Sequence, residues 1–118
     1  MRARNWLTEH GAEYAVPPQV LALVGDGLAS DDSWRNDTCP RFSYRHNPGG
    51  DPYYNEIVVD IWVEHPDPYE RESGGARYFV MVSDGGGDAD PDAVWTDDVE
   101  LACEVFVIMR HDVVTGLR

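Results

Sequence analysis

The chain contains no lysine. All nine of its basic residues are arginine, set against 22 acids, for a net charge of −13. A field of that sign repels nucleic-acid phosphates and anionic membrane surfaces, so direct binding to either is disfavoured, whereas a basic protein surface is attracted. Cysteine is nearly absent as well. Cys39 and Cys103 are the only two, and without a secretory signal they are expected to be reduced packing thiols, not a disulfide framework. The opening stretch "MRARNWLTEHGAEY" lacks the apolar region of a signal peptide, and apolar runs such as Val105–Met109 are far too short to span a bilayer. The expectation is a cytoplasmic protein with no membrane segment. Also missing are a phosphate-binding loop, a dinucleotide fingerprint, a nucleophile elbow and a zinc knuckle, and His10, His46, His65 and His111 show no metal-ligand spacing. No cofactor and no enzymatic activity are expected.

What is present suits one domain over residues 1–118, a length that buries roughly two thirds of the unfolded surface. "VPPQVLALVGDG" reads as an N-terminal helix, with Pro17 and Pro18 in the first turn and Gly25 at its close, after a short helical turn in "NWLTEH". Three strand signals follow. "RFSYRH" alternates, and so does "YYNEIVVDIWVEH", where Ile57, Val59, Ile61 and Val63 point one way while Glu56, Val58, Asp60, Trp62 and Glu64 point the other. "RYFVMV" is the third. The short, turn-rich connections favour an antiparallel meander, in which Arg41 and Arg45 would face Glu56, Asp60 and Glu64 on a solvated side. "VFVIM" has strand chemistry, but its context predicts a C-terminal helix from about Asp97 to His111. There Asp97 and Glu100 would form a capping box, and Arg110 and His111 would stand in the last turn. The fold class is thus α+β, a three- to four-stranded antiparallel sheet flanked by an N-terminal and a C-terminal helix.

The charge is concentrated. Residues 1–50 carry six acids and five arginines, whereas residues 51–118 carry sixteen acids and four arginines. Eight acids and no base fall between Ser83 and Glu104: Asp84, Asp88, Asp90, Asp92, Asp97, Asp98, Glu100 and Glu104. Asp88, Asp90 and Asp92 have the spacing of the first ligands of an EF-hand loop. Ala93 then stands where that loop needs glycine and Val99 where it needs its bidentate Glu, so a solvated acidic loop is the better reading. On a helix, Glu100 and Glu104 would lie about 6 Å apart along the axis. That is close to the spacing of successive phosphates, about twice the 3.4 Å axial rise per strand. The other acids could extend this track, and Trp62, between Asp60 and Glu64, would supply an aromatic anchor with an acidic rim if no helix covers it. Cys39, beside Asp37 and before Pro40, lacks the electropositive setting of a nucleophile, and packing with Trp34 is the better reading.

"SWRNDTCPRF", followed by the strand meander and "DPYERESGGARYFV", resembles small acidic proteins encoded on bacterial plasmids and phages. Size, acidity and a compact α+β domain are similar to DNA-mimic inhibitors of the anti-CRISPR and anti-restriction type, and to immunity proteins against basic nuclease toxins. The resemblance implies a stoichiometric inhibitor whose partner is a basic nucleic-acid-binding protein, an effector complex or a nuclease. The competing expectation is a halophilic domain or calcium-binding module with no inhibitory role. An Asp-rich, lysine-free chain whose acidity serves only solubility would unfold at low salt.

Overall fold

A computed structural model describes residues 5–47, 49–50, 56–72, 75–84 and 90–117. The three expected strands form at β2 (Arg41–His46), β3 (Ile57–Val63) and β4 (Tyr78–Ser83), and two short strands, β1 (Ser30–Asp31) and β5 (Val94–Thr96), close the sheet at its edges. The sheet therefore has five strands in the order β1-β2-β3-β4-β5, every neighbouring pair antiparallel, against the three or four expected. The difference lies in the edge strands, whose two and three residues are too few to show a period.

The register turns the alternation into a core. Phe42, Ile61, Val80 and Val94 are successive cross-strand partners, as are Tyr44, Val59 and Val82, and Val63, Tyr78 and Thr96. Helix α1 (Trp6–Glu9) precedes α2 (Pro18–Gly25), which buries Val20 and Leu23; α3 (Val99–Thr115) buries Ala102, Phe106, Met109 and Val113. Those four positions recur along one stripe of the helix, and with the sheet residues they make one hydrophobic cluster.

Both long helices are terminated by glycine. Gly27 takes φ +75°, with its N–H on Val24 O at 3.0 Å and the Leu28 N–H on Leu23 O at 2.8 Å. Gly25, the expected terminator, is the last helical residue instead, because the left-handed position falls two residues later. Gly116, φ +79°, ends α3 in the same way, one turn beyond the expected His111. The start of α3 also differs. Asp98, not Asp97, caps it, accepting from Glu100 N at 3.0 Å and Leu101 N at 3.3 Å. Arg110 does not serve the last turn. Its Nε donates to Leu28 O at 3.0 Å and its guanidinium lies over the Tyr44 ring, which ties α3 to the exit of α2. Among the described residues, no helix is long and apolar enough to cross a membrane.

Candidate functional site

The acidic residues gather around β5. Asp84 follows the end of β4, and Asp90 and Asp92 stand just before β5; Asp97 and Asp98 follow it, and Glu100 and Glu104 lie on exposed positions of α3, one turn apart. Because Val80 pairs with Val94 and Tyr78 with Thr96, the first group sits at one end of the β5 edge and the second at the other. Asp88 lies outside the described residues.

Asp90, Asp97 and Asp98 hold backbone in place among the described residues. Asp90 accepts from Val82 N at 2.8 Å and from Asp92 N at 2.9 Å, which shapes the turn into β5. Asp97 accepts from Arg77 N at 2.8 Å and from Arg71 Nη1 at 3.1 Å. Arg71 is itself nearly buried and also donates to the carbonyls of His65, Pro66 and Gly75. Asp98 is the cap of α3. Asp84, Asp92, Glu100 and Glu104 are exposed and carry the negative field outward.

The second feature is the sheet face opposite the core, which neither α2 nor α3 covers. Register sets Arg41, Trp62, Phe79 and Trp95 side by side across four strands. The Arg41 guanidinium lies 5.1 Å from the Trp62 ring centre. Phe79 and Trp95 stack with centroids 3.8 Å apart and planes 17° apart. Trp62 is half-buried within this row, whereas Trp95, at 53 % exposure, is its outward member. Sequence reasoning missed Trp95 and Phe79 as site residues. The available signal was a Trp between β-branched Val94 and Thr96, a strand-forming triplet. Beside the row opens a cavity of about 210 Å³ lined by Thr38, Cys39, Trp62, Glu64, Phe79 and Trp95.

The expected charge pairs form in part. Arg45 reaches Glu56 at 2.7 Å and Asp32 at 3.1 Å, and Arg41 lies 4.0 Å from Asp60. The face is not uniformly solvated, however. Asp60 is 5 % exposed and accepts a short hydrogen bond from the Ser43 hydroxyl. Among the described residues Glu64 forms an ion pair with neither arginine; it is 7 % exposed and accepts from Glu72 N at 3.2 Å. Burial raises the Asp60 carboxyl above its ordinary value, and the Ser43 hydroxyl and Arg41 only partly oppose that shift. A carboxyl raised on folding costs stability while ionised. The cost is full above the folded pKa and relieved as pH falls towards the unfolded one. Asp60→Asn, which keeps an acceptor for Ser43, is therefore expected to be at least as stable as wild type at pH 7. Wild type should gain on the variant as pH falls towards 4. Paired thermal melts across that range check this, and a variant that loses ground at pH 7 contradicts it.

Burial, and then the Glu64 carboxylate, push the Cys39 thiol well above its usual range; burial alone raises Cys103. A nucleophilic cysteine needs the opposite shift. Among the described residues, no three His, Cys, Asp or Glu side chains converge as a metal site. No family model matches the chain, and neither a curated protein nor a solved structure shows significant similarity to it.

Proposed function

We propose that the protein is a stoichiometric inhibitor that occupies the basic nucleic-acid-binding groove of a defence or nuclease protein. It acts by binding, without chemistry. The observation that carries this reading is the arrangement of the β5 edge: an exposed Trp95, backed by Phe79, stands between two groups of carboxylates. An aromatic anchor within a charged rim is the composition of a binding hot spot, and the sign of the rim selects a basic partner. Occupancy of a nucleic-acid groove would exploit the same counterion release that drives DNA binding. In this reading the aromatic contact beside the acids is Trp95, 53 % exposed, with half-buried Trp62 under the Arg41 guanidinium as its neighbour in the row.

Capture from a bacterial lysate on the immobilised protein, followed by elution with duplex DNA at constant salt, tests the proposal. Nucleic-acid-binding proteins should be retained at low salt and released by DNA. Captured proteins that ignore excess DNA, or the absence of specific capture, would remove the groove-occupying role. Circular dichroism on the same preparation from low to molar KCl should show an intact fold throughout; folding only in molar salt would assign the acidity to solubility.

A further inference from the structure

The cavity beside the aromatic row has the chemistry of a cation site. Glu64 is 7 % exposed, yet among the described residues no arginine or histidine forms an ion pair with its carboxylate. Among the described residues its carboxylate accepts from the uncharged Glu72 N–H, and the neutral Cys39 thiol lines the cavity beside it. Buried carboxylates are ordinarily paired with a cation, so this one stands out. Around it stand Trp62, Phe79 and Trp95, whose ring faces attract cations, tryptophan most strongly. The protein already shows the mode of contact, since Arg41 lays its own guanidinium over Trp62 from the far side of the row. The Trp62 Nε1 is buried and has no hydrogen-bond acceptor among the described residues.

We infer that this cavity receives the guanidinium of an arginine side chain presented by the basic partner, held against the indoles of Trp62 and Trp95 with Glu64 as counter-charge. Arginine fits better than lysine because its planar, weakly hydrated cation stacks on aromatic faces, whereas an ammonium is a compact and strongly hydrated charge. The inference rests on the proposed function, which supplies the basic partner.

The test uses the whole ¹⁵N-labelled protein and three small probes: Nα-acetyl-arginine amide, Nα-acetyl-lysine amide and the neutral isostere Nα-acetyl-citrulline amide. The arginine probe should shift the indole N–H signals of Trp62 and Trp95 saturably. The lysine probe should bind several-fold more weakly and the citrulline probe should leave these signals unmoved. Trp95→Ala, at an exposed position, and Glu64→Gln, which keeps the acceptor for Glu72 N, should each weaken arginine binding about tenfold while the remaining spectrum stays dispersed. Equal response to citrulline, shifts confined to α3, or no saturable shift at the solubility limit of the amide would overturn the inference. Its failure is separable from that of the inhibitor role. Loss of the arginine response with DNA-releasable capture intact removes only the pocket, whereas arginine binding without capture removes only the groove-occupying role.

Discussion

Phe106→Ala is expected to cost about 3–5 kcal/mol of folding stability, the range for truncating a fully buried aromatic. Phe106 has no exposed surface and stands between Ala102 and Met109 on the stripe of α3 that faces the sheet. A domain of this size is commonly stable by about 5–15 kcal/mol, so one side chain accounts for a large share and the variant would be marginal near 37 °C. Ile108, on the outer face of the same helix at 52 % exposure, is the matched control, and Ile108→Ala is expected to change stability by no more than about 0.5 kcal/mol. Urea denaturation of both variants checks the pair. A loss below about 1 kcal/mol at Phe106 would mean that α3 is not part of the core. The consequence for binding is direct. Glu100 and Glu104 are held in place only through α3, so loosening its buried stripe would scatter the carboxylates of that end of the β5 edge.

The parts of the fold legible in the sequence are those where a period repeats often enough to exclude alternatives. Ile57, Val59, Ile61 and Val63 span four inward positions of β3, and Phe42 and Tyr44 face the same core; both faces follow from alternation alone. The edge strands offer no such repeat. Helix α3 was harder, because Val105 to Met109 suits a strand as well as a helix. The helix prevails because Asp98 caps one end, Gly116 the other, and Ala102, Phe106, Met109 and Val113 share a stripe. Choosing between adjacent Asp97 and Asp98 as cap depended on a tertiary partner, Arg71, which draws Asp97 away. The aromatic cavity was illegible for a related reason. Cys39 comes from a loop, Glu64 from just beyond β3 and Trp95 from an edge strand, and only the register brings them together. Glu64 looked solvated by alternation. It is buried where it meets Glu72 N and Cys39, which no local pattern links to it.

Reversing Asp84, Asp92, Glu100 and Glu104 together to lysine is expected to weaken binding to a DNA-releasable partner by roughly 30- to 700-fold. That range takes about 0.5–1 kcal/mol for each exposed charge pair and assumes the four act independently. Each reversal adds two positive charges, so the set takes the net charge from −13 to −5. Association should slow and the salt dependence of the affinity should become shallower, because fewer charge pairs remain to be screened. These four exposed residues leave untouched the backbone contacts that Asp90, Asp97 and Asp98 make, and a melting curve separates any folding effect of the set from binding. Reversal at Glu100 adds up to about 1 kcal/mol of helix-terminus repulsion, which a melting curve will report separately. The deciding comparison is a second variant with the same net charge, reversed at exposed Glu13, Asp26, Asp67 and Glu70, which lie outside the β5 group; its own melting curve reports the loss of the Asp67 contact to Tyr69 N. If the acids act as a site, this control should keep most of the affinity that the β5 variant loses. Equal losses in the two variants would mean that the partner responds to total charge, and undiminished binding in both would remove electrostatics from the interface. Only a loss confined to the β5 set fits a partner that meets this edge, with Trp95 at its centre.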